Sequence, residues 1–150
     1  MRRVLPLVFA SALVGVGASH AQTAADSAAI RQTALDYIEG WYEGDAERMK
    51  GALHPELAKR IVMTDPQSGE SRLQHMTAER LVQVTAAGSG ARTPKERQLK
   101  DVAILDIFEN AASVRVDASD WIDYLHVAKW DGKWVIVNVL WELKPHAKRR

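Results

Sequence analysis

The chain has 150 residues, 47% of them hydrophobic, no cysteine and a formal net charge of +1. Without cysteine there can be no disulfide, no thiolate nucleophile and no thiolate metal site. A near-neutral balance offers little general attraction for phosphate backbones, so no nucleic-acid partner is expected.

Met1-Arg2-Arg3 is a short basic start, Val4 to Ala18 is apolar and uncharged, and Ser19-His20-Ala21 places small residues at a cleavage site. That layout predicts a secretory signal peptide over residues 1–21, cut after Ala21. The alternative is a membrane anchor, but an apolar run of about 15 residues falls short of the roughly 18–20 needed to span a bilayer. Loss of Arg2 and Arg3 would take the net charge from +1 to −1. The expected product is periplasmic or secreted, with no membrane association, and has the length of one domain. It must be stable through its core alone.

Residues 22–25 are expected to be a loose leader and 26–145 the folded domain. Asp26 is placed to cap a first helix, whose apolar face is Ile30, Ala34, Ile38 and Trp41 at spacings of four, four and three. Gly44 should end that helix, and Asp45 should cap a shorter one carrying Met49 and Leu53. His54-Pro55 is a stop signal. Ala58–Thr64 reads as a strand, Asp65-Pro66-Gln67-Ser68-Gly69 as a turn and Glu70–Met76 as a returning strand. Thr77 caps a third helix that runs to about Ala87, and Gly88-Ser89-Gly90 ends it.

Four strand candidates follow: Leu99–Phe108, Ala112–Val116, Trp121–Trp130 and Lys133–Glu142. Asp131-Gly132 between Trp130 and Lys133 is the strongest local signal, the preferred two-residue hairpin turn. Residues 146–150 read as a solvated basic tail. Helices segregated before a run of strands predict an α+β fold, with three N-terminal helices packed on one face of a curved antiparallel sheet.

The turn also predicts a register. With Trp130 facing Lys133, Ile122 lies opposite Trp141, Tyr124 opposite Val139 and His126 opposite Val137, all on one sheet face. The other face carries Trp121, Asp123, Leu125 and Val127 with Ile136, Asn138 and Leu140. Two readings of the first face stay open: a ligand-binding wall, or a core in which Tyr124 and His126 bond internally. On the second face, Asp123 lies diagonal to Asn138, as a buried acid with an amide partner or as part of a subunit interface. A β-bulge would flip these assignments. Both faces are apolar, which predicts a homodimer through the sheet.

Tyr37 to Asp45 (Tyr-Ile-Glu-Gly-Trp-Tyr-Glu-Gly-Asp) resembles the first helix and Gly-Asp break of the nuclear-transport-factor-2-like superfamily. The run from Trp121 to Trp141 resembles the C-terminal hairpin of its branch called putative lumazine-binding proteins, as do Met49–Leu57 and Met76–Gly88. The resemblance implies a curved, cystatin-like sheet wrapped around three helices and enclosing a conical pocket, with dimerisation through the sheet. Members include ketosteroid isomerases, dehydratases and non-catalytic binding modules, so the fold alone does not settle function.

Measured against the isomerases, Tyr37 stands eight residues before Asp45, as their oxyanion-binding tyrosine does. Asp65 before Pro66 resembles their base. His126 falls where they carry a protonated aspartate, and Trp141 at a pocket-lining tryptophan. The resemblance therefore implies catalytic candidates Asp65, Tyr37 and His126, although a histidine at that position titrates near neutrality and departs from the pattern. It also turns the tyrosine-histidine face inward. Tyr37, Trp41, Tyr124, His126 and Trp141 are then the expected ligand-binding residues. His54 joins them at the rim if the second helix folds back, and is otherwise the polar end of that helix.

His54, His75, His126 and His146 show no metal-ligand spacing, and no metal or cofactor is expected. Two functions stay open: an exported module binding a small apolar or aromatic molecule, and an acid-base enzyme acting on an enolisable substrate. Asp65 facing a ligand site would favour the enzyme, and Asp65 in solvent the binding module. A pocketless dimerisation domain would follow if aromatic side chains filled the cone.

Overall fold

The computed structural model describes residues 17–148, with side chains from residue 24 onward. The first sixteen residues of the expected signal peptide lie outside the described part. Helix α1 runs Gly17–Glu43, α2 Ala46–Ala52 and α3 Ala78–Ala86. The strands are β1 Leu53–Thr64, β2 Ser71–Thr77, β3 Lys100–Phe108, β4 Ala111–Ala118, β5 Trp121–Trp130 and β6 Lys133–Leu143.

Helix α1 ends in a Schellman motif: the Asp45 amide donates to Gly40 O at 2.9 Å and the Gly44 amide to Trp41 O at 3.4 Å. Asp45 then caps α2 through Arg48 N (2.9 Å), and Thr77 caps α3 through Arg80 N (3.2 Å). The start of α1 departs from expectation. Asp26 is no cap but an interior residue, and residues 22–25 are helical rather than a loose leader. The segment is alanine-rich, which favours helix. The Asp26 carboxylate is engaged elsewhere, accepting from Lys129 Nζ at 2.9 Å and Trp134 Nε1 at 3.0 Å. Thr33 Oγ1 donates to Trp134 O at 2.9 Å, so this end of α1 is tied to the tip of the β5–β6 hairpin.

The six strands form one sheet in the order β2-β1-β6-β5-β4-β3. Neighbours are antiparallel except β1 and β6, which run parallel, so the sheet is mixed rather than purely antiparallel. A hairpin (β1–β2) and a four-strand meander (β3–β6) are joined at that parallel seam. The Leu53–Thr64 strand begins earlier than expected, directly after α2. The core lies between the helices and one sheet face and includes Ile30, Ala34, Ile38, Met49, Leu57, Leu125, Ile136 and Val139.

The hairpin turn forms as expected, with Asp131 and Gly132 both at positive φ (49° and 79°). Trp130 faces Lys133, and the expected register holds back to Val127 opposite Ile136. There Val137 is an extra residue, and His126 pairs with Asn138 instead. Every pair beyond the bulge shifts by one: Tyr124 faces Leu140, and Asp123 faces Trp141. Burial along β6 switches parity at the same point, from Trp134 and Ile136 to Val139 and Trp141. On β5 the tyrosine-histidine face is the outward one, and the bulge in β6 moves Val139 and Trp141 to the opposite, inward face. Tyr124 is 44% exposed and His126 is also exposed, whereas Asp123, Leu125 and Val127 point into the core. The expectation that Tyr124, His126 and Trp141 share a face is corrected by this single inserted residue.

The C-terminal segment is less free than a solvated tail. Lys144 Nζ lies 2.6 Å from Asp117 Oδ1, and His146 Nε2 lies 3.1 Å from Asp120 Oδ1.

Candidate functional site

At the centre of the inner face sits a charge pair. Asp123 on β5 has 0% of its surface exposed and Lys59 on β1 only 7%. Lys59 Nζ donates to Asp123 Oδ1 at 2.6 Å. The same ammonium donates to Tyr37 Oη at 2.6 Å, and the Tyr37 hydroxyl donates onward to Asp123 Oδ2 at 3.1 Å. Trp121 Nε1 adds a fourth bond, to Asp123 Oδ2 at 2.6 Å. A buried charge is tolerated only when paired and hydrogen-bonded, and both partners here are.

The surroundings perturb these groups in opposite directions. Burial, then the Asp123 charge and the hydrogen bond to it, push the Tyr37 hydroxyl well above its ordinary range. Burial pulls Lys59 below the usual lysine range, while Asp123 works against that shift. Removing either partner of the pair would leave the other buried without its counterpart.

Above the pair opens a cavity of about 300 Å³. Its wall is built from three tryptophans: Trp41 of α1, Trp121 of β5 and Trp141 of β6. Met76, Leu81 and Leu143 complete the apolar part. Tyr37 and Lys59 form its floor, and Asp120 stands at its edge. Trp41 meets Trp121 edge to face, their ring centroids 6.1 Å apart. Trp41 is held from behind by the loop after α3. A Cβ on Gly90 would lie 2.2 Å from Trp41 O and 2.5 Å from its ring, so only glycine fits there.

Three expected ligand-binding residues, Tyr37, Trp41 and Trp141, meet at this cavity; the other three do not. His54 accepts from the Glu56 amide (3.1 Å) and stacks edge to face on Trp130, ring centroids 4.8 Å apart. Its strand starts directly after α2 and carries it to the hairpin end of the sheet. Tyr124 and His126 lie on the outward face, where His126 Nδ1 is 3.3 Å from Asn138 Nδ2.

The isomerase-like set of Asp65, Tyr37 and His126 is not assembled. Asp65 sits in the exposed β1–β2 turn, accepting from Gln67 N and Ser68 N at 2.8 Å each. These bonds, Ser68's first, hold its carboxyl below the usual range. Sequence reasoning missed Lys59 and Trp121, and of its two readings of Asp123 the amide-partner one does not hold, since Asn138 instead accepts from Arg60 at 3.0 Å. A signal was present: Leu57, Lys59 and Ile61 share one strand face, as do Asp123, Leu125 and Val127. A lysine and an aspartate each set among apolar neighbours at period two predict one buried pair. Among the described residues no cluster of histidine and carboxylate side chains is arranged to hold a metal ion.

Three helices packed on a curved, open sheet around such a cavity define the cystatin-like, nuclear-transport-factor-2-like class. Solved structures agree. A nuclear-transport-factor-2-like protein of unknown function from Shewanella baltica OS155 is 22% identical, with a TM-score of 0.62 over 81% of this chain and 96% of that one. A second, from Silicibacter pomeroyi DSS-3, gives 17% and 0.64 over 81% and 98%. A third, with a cystatin-like fold, from Novosphingobium aromaticivorans, gives 12% and 0.62 over 88% and 92%. At these identities the likeness is one of fold. The sequence profile of the family described as putative lumazine-binding matches residues 25–142, and the chain belongs to that family. No curated protein sequence matches the chain.

Proposed function

We propose that this domain is an exported module that holds a small, flat, mostly apolar molecule in the tryptophan-walled cleft without turning it over. The observation that carries this reading is the cleft itself: three indole faces above a floor in which Lys59, Tyr37 and Asp123 are bonded to one another. Ligand sites are mostly apolar with few polar groups, and this one has that balance. The description of the matched family points the same way. An acid-base enzyme would need a carboxylate with a free lone pair facing the ligand. Asp123 is fully buried under three donors, Asp65 lies in solvent, and Asp120 at the cleft edge is 40% exposed and paired with His146.

Export rests on the N-terminal layout. Cleavage after Ala21 would start the helix within about one turn of Asp26, where a carboxylate is favourable to the helix dipole. Pairing of two copies rests on the outward sheet face, where Val62, Leu140 and Tyr124 are about half exposed (47%, 50% and 44%). No described helix is long and apolar enough to cross a membrane.

Native mass spectrometry of the protein purified from the periplasm should find residues 22–150 carrying a small organic molecule. Tryptophan fluorescence should respond to that molecule, because three of the five tryptophans line the cleft. Trp141→Ala should weaken binding at least tenfold, about 1.4 kcal/mol. A protein that co-purifies with nothing, and whose fluorescence no aromatic compound changes, would overturn the reading.

A further inference from the structure

Resting on that reading, we infer that the ligand is anchored by Lys59 through one neutral hydrogen-bond acceptor, a carbonyl oxygen on a flat ring system, and that the cleft discriminates against carboxylates. The argument begins with which polar atoms remain available. An ammonium has three donors. Lys59 directs one to Asp123 Oδ1 and one to Tyr37 Oη, and its third has no protein partner among the described residues. Lys59 forms part of the cavity floor, with Nζ 5.0 Å from the ring centroid of Trp141. The Tyr37 hydroxyl proton and the Trp121 indole proton are both directed at Asp123 Oδ2. The floor therefore has an uncommitted ammonium donor to offer a ligand, while its hydroxyl and indole protons are already taken. At the edge, Asp120 is engaged by His146.

Charge decides which acceptor fits. Lys59 and Asp123 form a balanced pair at 2.6 Å. A carboxylate entering the cleft would give up its hydration and meet no net positive charge, with the Asp123 anion just behind the lysine. A carbonyl needs only one donor and is desolvated at far lower cost. A ligand ammonium would meet the like charge of Lys59 at the floor. The tryptophan walls favour a planar ring, and about 300 Å³ is at the low end for ligand pockets, enough for one or two fused rings.

Three probes with one frame and one substitution position separate these terms: ethylnaphthalene, acetylnaphthalene and naphthoate, titrated by tryptophan fluorescence against the mature protein. Hydrophobicity alone would rank ethylnaphthalene first. The inference expects acetylnaphthalene to bind at least tenfold more tightly than either of the others. Replacing the pair together, Lys59→Met with Asp123→Leu, should bring the acetyl-to-ethyl affinity ratio to one or below. A thermal melt checks that the double variant is folded, and the probe series on the unmutated protein decides the matter if it is not. Equal binding of the ethyl and acetyl probes would overturn the inference and leave the apolar-cleft reading standing. Tightest binding of naphthoate would overturn the selection for a neutral acceptor. Failure of all three to bind would overturn the functional reading on which the inference rests.

Discussion

Asp123 and Tyr124 are adjacent on β5 and meet opposite conditions. Inward, Asp123 is sealed from water and takes hydrogen bonds from Lys59, Tyr37 and Trp121. Outward, Tyr124 and His126 are exposed, and the nearest polar partner of His126 is an asparagine at 3.3 Å. Both faces mix aromatic and polar side chains, so composition does not tell them apart. The difference is in obligation. A buried carboxylate has to be matched bond for bond, whereas an exposed imidazole can exchange its partner for water. The inner face is therefore where single substitutions should be felt most.

The largest effect is expected at Asp123. Asp123→Asn leaves Lys59 buried without a counter-charge, and breaking such a pair from one side costs about 3–5 kcal/mol. Urea denaturation of the purified domain measures it directly. Replacing both partners with apolar residues should recover most of that loss, since buried pairs contribute little net stability over well-packed hydrophobic side chains. A single Asp123→Asn variant as stable as the parent would mean that the inner and outer faces do not differ in the way described.

Tyr37→Phe is next. It removes one donor to Asp123 and one acceptor for Lys59, an expected loss of about 1–3 kcal/mol. Its pH dependence sharpens the assignment. Tyrosine in the unfolded chain releases its proton near 10.0, and the folded protein holds Tyr37 protonated well above that. Above pH 10 the folded state thus binds more protons than the unfolded one, and stability falls as pH rises; below pH 10 the contribution is intact. Lys59 acts with the opposite sign: its lowered value means that stability gains between that value and the ordinary 10.5. Subtracting the Tyr37→Phe curve from the parent isolates the tyrosine. Tyrosinate absorbance should show one of the three tyrosines titrating only on unfolding.

Much of this arrangement could be read from the chain. The helix breaks at Gly44 and His54-Pro55, the caps Asp45 and Thr77, and the Asp131-Gly132 turn are local signals, and local geometry follows from them. Tyr37 and Trp41 share one side of a helix because they are four apart. What local signals could not supply was the bulge at Val137. It has no turn residue to mark it: the bulge falls within Val135-Ile136-Val137-Asn138, where both sides of the strand look apolar. Asp26 failed as a cap for a related reason. Its partners, Lys129 and Trp134, are more than a hundred residues away and come within reach only once the hairpin has packed on α1.

A smaller effect on folding, but a visible one on assembly, is expected on the outward face. Leu140→Asp should change the stability of a single subunit by about 0.5 kcal/mol, as exposed substitutions do. If two copies pair through this face, light scattering should fall from twice the chain mass to the chain mass. A parent protein that is already monomeric at micromolar concentration would remove the pairing proposal and leave the inner-face comparison untouched.

The smallest effect is expected at His126, and it tests the comparison most directly. In a register without a bulge, His126 would share its face with Val137, Val139 and Trp141, and if that face lined the cleft, truncating the histidine would weaken ligand binding. In the observed register it pairs with Asn138, and its ring points away from Lys59, Asp123 and the tryptophans. His126→Ala should therefore change stability by no more than about 0.5 kcal/mol and leave probe affinity where it was. Trp141→Ala, on the neighbouring strand but facing inward, should weaken binding tenfold or more. Cross-strand nuclear Overhauser contacts supply an independent readout, because they distinguish His126 opposite Asn138 from His126 opposite Val137. A tenfold affinity loss in His126→Ala, together with contacts to Val137, would put the histidine back in the cleft. Trp141 and Val139 would then share a face with His126 rather than with Asp123, since one residue of slip in β6 exchanges every side chain of that strand beyond it between the two faces.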